Sequence, residues 1–129
     1  MFDLRALARP DPERSRLLGW GTTTTVLAYA RTRDPDSPVL AQMSPLEHLT
    51  AAFPPAWITG GNADPLTPGH SVPFTARLES LDVPVTTLFW PGDHEPGLPH
   101  LYPFNLDTEE GQEALRSMLE FLRQHRGPG

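Results

Sequence analysis

Apolar and polar positions alternate clearly in only part of this chain, and the clearest run lies at its end. Ala114, Leu115, Met118, Phe121 and Leu122 recur at helical spacing as far as His125, which makes one apolar stripe along a helix. Asp107 with Glu110 reads as a capping box ahead of it, Glu109 and Glu110 suit the positive helix start, and Gly127-Pro128-Gly129 ends it. Two short runs have a different pattern. Ala56-Trp57-Ile58-Thr59 is continuously apolar between Pro-Pro and Gly-Gly, and Val85 to Trp90 is rich in β-branched and aromatic residues. Both read as strands buried on two faces, the kind that parallel sheets contain. Between them Phe74, Leu78 and Leu81 mark one face of a helix over Val72 to Leu81. Pro73 falls in its first turn, Ser71 at its cap, and Asp82-Val83-Pro84 breaks it. Strand, helix and strand make a crossover unit.

The first part of the chain is less regular. Residues 1–10 read as a short apolar-basic lead without a clear core face. Asp11-Pro12-Glu13 signals a helix start, and Gly19 and Gly21 predict that this helix stops near Leu18. A second short helix is expected from the Thr22–Thr25 block to Arg31, burying Val26, Leu27 and Tyr29 or Ala30. Residues 32–45 read as loop, and Pro45 to Leu49 as a helical turn that leaves His48 on the surface. The division is therefore a helical and loop lead-in over 1–50 and an α/β segment over 51–129.

Composition narrows the partners. The chain has 129 residues, 10 Arg, no Lys and 16 acids, for a formal charge of −6. Without basic runs it does not suit nucleic acid, since binding phosphate needs clustered cations. No Cys removes disulfides, thiolate metal sites and a thiol nucleophile. Apolar runs are too short for a membrane span and the N-terminus lacks a signal-peptide core, so the expectation is a cytoplasmic protein without a cofactor. Sixteen prolines predict much loop.

The chemistry collects after the two strands. Asp64 follows the first, in Asn62-Ala63-Asp64-Pro65-Leu66. His94 and His100 follow the second, in Pro91-Gly92-Asp93-His94 and Leu98-Pro99-His100-Leu101-Tyr102. Reacting groups gather at the carboxyl ends of parallel strands. Taken by itself, Asp64-Pro65 reads as a turn before it reads as a site, and the plain reading of each histidine is a surface loop residue; His48, His70 and His125 read as solvent-exposed. Asp93, His94, Glu95 and His100 together offer metal-type ligands, at a spacing that matches no standard metal motif.

Ser44-Pro45-Leu46, Phe53-Pro54-Pro55-Ala56-Trp57-Ile58-Thr59-Gly60 and Asn62-Ala63-Asp64-Pro65-Leu66 resemble the C-terminal third of α/β-hydrolases of the hormone-sensitive-lipase-like esterase group. The resemblance covers roughly residues 44–125. It implies a partial α/β-hydrolase sheet, formed by the last two parallel strands, a crossover helix and the C-terminal helix. It also implies Asp64 as the acid of a Ser-His-Asp triad and a later histidine as its base. His100, with an aromatic cluster after it, is preferred to His94, which lies one residue short of the family's Gly-x-x-His spacing from Gly92 and is the second choice.

The serine is missing. No Gly-x-Ser-x-Gly elbow occurs, and Gly69-His70-Ser71-Val72-Pro73 lacks the final Gly and follows the acid instead of preceding it. Asp and His alone cannot transfer an acyl group. The expectation is the C-terminal segment of a carboxylic ester hydrolase, inactive alone, whose small-molecule ester substrate belongs to the complete enzyme. Its sheet edge should self-associate or accept a complementing chain. The competing expectation is a non-catalytic partner-binding module derived from a hydrolase.

Overall fold

The computed structural model describes residues 3–9 and 16–126, which fall into two compact units, 1–49 and 50–129. The first unit is helical. It contains α1 (Leu4–Ala8), α2 (Arg16–Tyr29), α3 (Pro38–Gln42) and a 3₁₀ turn over Pro45–His48. Asp3 caps α1, with Oδ1 accepting the N–H groups of Arg5 and Ala6. Leu7, Ala8, Val26, Ala30, Leu40 and Leu49 are buried in this unit, so the lead expected to lack a core face has one. Ser44 is fully buried. Its hydroxyl donates to the Leu40 carbonyl at 2.7 Å and accepts the Leu4 N–H at 2.8 Å, joining the start of α1 to the end of α3.

Two expectations for this unit fail. α2 runs unbroken through Gly19, Gly21 and the four threonines, and residues 38–42 of the expected loop are helical. Glycine and threonine in a helix each cost about 1 kcal/mol or less relative to alanine. Burial of Val26 and Ala30, and the Thr23 hydroxyl donated to the Leu7 carbonyl, offset that cost through contacts distant in sequence. Tyr29, an alternative core residue, is 76% exposed. α2 ends in a left-handed Arg31 (φ 52°), with Arg31 N–H on the Ala28 carbonyl and Thr32 N–H on the Leu27 carbonyl, the Schellman arrangement. The start signal at Asp11-Pro12-Glu13 lies outside the described residues, as does Gly127-Pro128-Gly129.

The second unit is a small α/β structure. Strands β1 (Ala56–Gly60) and β2 (Val85–Phe89) pair in parallel, Ala56 opposite Val85 through Gly60 opposite Phe89. Between them a turn of π-helix (Thr67–Ser71) leads into α4 (Val72–Glu79); a 3₁₀ turn over Tyr102–Phe104 and then α5 (Glu109–His125) follow. The alternation of strand side chains decides which layer each face meets. Trp57, Thr59, Thr86 and Leu88 share one face. There Trp57 and Leu88, with Trp90, pack on Leu98, Tyr102 and Ala114, and the indole N–H of Trp57 donates to Ser117 of α5 at 2.9 Å. On the opposite face Gly60 meets Thr67 at the head of the crossover; a Cβ on Gly60 would lie 2.3 Å from the Thr67 hydroxyl.

Among the described residues the sheet has two strands, so each strand keeps one unpaired edge. Side chains expected to be wholly buried are therefore only partly so, with Ile58 buried but Thr87 exposed. α4 buries Phe74 and Leu78 as expected, while Leu81 lies beyond it. Its start differs. The helical path begins at Thr67, Ser71 has helical dihedrals instead of a cap's, and His70, expected at the surface, is turned inward and only 3% exposed. α4 closes at Asp82 (φ 56°) with the same pair of Schellman bonds as α2. α5 is capped by Thr108, not Asp107: the Thr108 hydroxyl accepts the Gly111 N–H. Its stripe is buried at Ala114 and fades outward, leaving Leu122 54% exposed.

Candidate functional site

Because β1 and β2 are parallel, the segments that leave their carboxyl ends emerge on the same side of the sheet. Gly60 ends β1, and a tight turn follows in which the Asp64 N–H bonds the Gly61 carbonyl. The Asp64 side chain is 7% exposed. Its Oδ1 accepts the Leu66 N–H at 2.9 Å, which closes an Asx turn and fixes the carboxylate plane. Its Oδ2 lies 2.7 Å from Nδ1 of His100. The Asp-Pro turn and the acid–histidine contact, which the sequence offers as rivals, are both present.

A carboxylate only accepts, so Nδ1 of His100 carries the proton and Nε2 keeps the lone pair of the neutral ring. The His100 side chain is 58% exposed, and among the described residues nothing hydrogen-bonds to Nε2. His94 is oriented otherwise. Its Nε2 donates to Oε1 of Glu110 in the first turn of α5 at 3.1 Å, and its ring lies 4.4 Å from that of Trp90. Two histidines of one loop thus take two different acids and hold opposite tautomers. The Glu110 carboxyl sits below its ordinary value of 4.5, chiefly through its own main-chain N–H and then through His94.

The loop bearing His100 is fastened to the sheet further on. The Trp90 indole donates to the Tyr102 hydroxyl at 2.9 Å; that hydroxyl lies 2.6 Å from the Thr59 hydroxyl, which donates to the Leu88 carbonyl at 2.7 Å. With the Thr59 proton committed to Leu88, Tyr102 must donate to Thr59, and the chain of donors runs one way from Trp90 to β2. Leu101, next to His100, has φ 68°, a left-handed conformation that costs a residue with a Cβ about 1–2 kcal/mol.

Asn62 is the residue whose part the sequence did not signal. Its amide bonds both the His94 carbonyl and the Leu98 N–H, contacts that only the folded loop creates. The adjacent Gly61 is required by the same approach: a Cβ there would lie 2.1 Å from the Leu98 carbonyl oxygen.

Among the described residues no three His, Asp or Glu side chains come together to hold a metal ion. The alternative ligand set of Asp93, His94, Glu95 and His100 is divided by the separate partnerships of its two histidines. His48 and His125 are exposed and donate to the carbonyls of Gln42 and Phe121. Among the described residues no helix is long and apolar enough to cross a membrane. No protein-family model, curated protein or solved structure matches the chain.

Proposed function

We propose that Asp64 and His100 are the acid and base of a Ser-His-Asp hydrolytic triad, and that this chain is the α/β-hydrolase segment supplying them for carboxylic ester hydrolysis. The observation that carries the reading is the 2.7 Å contact between a buried carboxylate and the Nδ1 of an exposed imidazole, beyond the carboxyl ends of two parallel strands. In such a triad Asp64 holds the Nδ1–H tautomer, leaves Nε2 to take the serine proton, and stabilises the imidazolium that results. The proton then passes from Nε2 to the departing alcohol. His94 is occupied at Nε2 by Glu110 and serves the loop instead.

The nucleophile and the oxyanion donors come from a further strand and its turn, carried by a preceding segment or a complementing polypeptide. The unpaired edges of β1 and β2 are where such a strand, or a second copy, would add. A soluble cytoplasmic setting suits this chemistry. The test is ester hydrolysis by the purified chain, alone and in a form carrying a Gly-x-Ser-x-Gly strand. Turnover in the second case alone supports the reading. A binding module without catalysis would show turnover in neither.

A further inference from the structure

The turn that presents Asp64 also holds the loop that presents His100. Asn62 Nδ2 donates to the His94 carbonyl at 2.9 Å, and Asn62 Oδ1 accepts the Leu98 N–H at 2.8 Å. One residue on, the Ala63 N–H donates to the Leu98 carbonyl at 3.0 Å. Three bonds thus join residues 62–63 to 94–98, and a side-chain amide supplies two of them by acting as a peptide group would, donor on one side and acceptor on the other. A carboxylate at this place would lose the donor, and an alkyl group would lose both.

Leu98 lies two residues before His100, and Asn62 two before Asp64. The amide therefore sets the spacing between the acid's turn and the base's loop. His100 needs that help. Its ring is 58% exposed, and a single bond from a water-exposed imidazole to a carboxylate is weak unless its partners are held in place. On the reading of Asp64 and His100 as an acid–base pair, we infer that Asn62 is the positioning residue that holds His100 on Asp64 in the Nδ1–H tautomer.

The experiment is nitrogen-15 NMR of the histidine rings in the full chain at about pH 9, well above the ordinary histidine value. The wild-type chain should show His100 as the Nδ1–H tautomer and His94 as the Nε2–H tautomer. In Asn62→Ala the His100 ratio should move toward the free-imidazole mixture by about fivefold or more, the effect of losing one ordinary hydrogen bond. Asn62→Asp keeps the acceptor for Leu98 but not the donor for His94, and should fall between the two. Glu110 still holds the His94 tautomer, so a folded Asn62→Ala chain with His94 unchanged and His100 shifted supports the inference. An unchanged His100 tautomer in folded Asn62→Ala overturns it.

If neither variant folds, hydrogen exchange on the wild-type chain decides. The Leu98 amide and the His100 Nδ1 proton should then exchange through one shared opening, and independent openings overturn the inference. None of these readouts needs ester turnover. Tautomer control by Asn62 in a protein that never hydrolyses esters would remove the catalytic reading and leave Asn62 its part; hydrolysis with His100 indifferent to Asn62 would do the reverse.

Discussion

Oδ2 of Asp64 and Nδ1 of His100 meet at 2.7 Å across a separation of 36 residues, and the two histidines of the same loop do not compete for that carboxylate. His94 is held by Glu110, with its ring beside Trp90. The acid that fixes one histidine and the acid that fixes the other come from different elements, the turn after β1 and the first turn of α5. This makes the parts separable by mutation.

The close approach at Gly61 gives a sharp contrast between glycines. Gly61→Ala puts a methyl group 2.1 Å from the Leu98 carbonyl, which must displace the loop and cost about 1–3 kcal/mol, as overpacking does. Gly92→Ala meets nothing within 4 Å and has no positive φ. It should be neutral or raise stability by up to about 1 kcal/mol through the unfolded chain. Thermal melts of both variants check this. Equal effects would mean the Leu98 segment is not docked on the turn.

Leu101 carries strain next to the base. Leu101→Gly removes the left-handed penalty of about 1–2 kcal/mol and incurs about 0.5–1 kcal/mol for glycine's freedom. Because Leu101 is 60% exposed, little burial is lost. The variant should be as stable as the wild type or more so by up to about 1.5 kcal/mol. Leu101→Val, with a branched Cβ at φ 68°, should be clearly less stable. Denaturant midpoints with unchanged slope report both; a Val variant as stable as the Gly variant would contradict the assigned backbone.

Glu110 sets an acid limit. Its carboxyl lies lower in the folded chain than its ordinary 4.5, through its own main-chain N–H first and His94 second. A depressed folded value contributes stability that is fully present above the unfolded value and is lost as pH falls through the folded one. Melting temperature should therefore hold above about pH 5 and decline below about 4.5. Glu110→Gln, which cannot ionise, should flatten that decline. An identical acid slope in the variant would remove Glu110 from the account.

How much of this was readable in the chain follows from the range of each interaction. β1, β2, α4 and α5 came from local periodicity and propensity, and their type and order agree with the structure to within a few residues. α2 did not, because Gly19, Gly21 and the threonines weaken a helix locally and only contacts such as Thr23 to Leu7 restore it. The cap of α5 moved from Asp107 to Thr108 because both are good caps and the backbone path from Asn105 chooses between them; the Thr108 hydroxyl also donates to the Asn105 carbonyl. His70 reads as exposed in the sequence because the π-helical turn that buries it has no sequence signature. The strand pattern places Asp64 and both loop histidines beyond the same end of the sheet, but the preference for His100 over His94 comes only through a family resemblance, since composition gives no reason to prefer one loop histidine. Asn62 gave no signal, because its bonds exist only once residues 94–98 have folded back on it.

Hydrolysis of a short acyl ester tests the central claim most directly. The purified chain should show no turnover above buffer, lacking a nucleophile. In a form that carries a Gly-x-Ser-x-Gly strand, turnover should appear, drop by about ten-thousand-fold in Asp64→Asn, disappear in His100→Ala and largely survive in His94→Ala. Turnover by the chain alone that Asp64→Asn abolishes, or activity in the serine-bearing form that depends on His94 and ignores His100, would contradict the account.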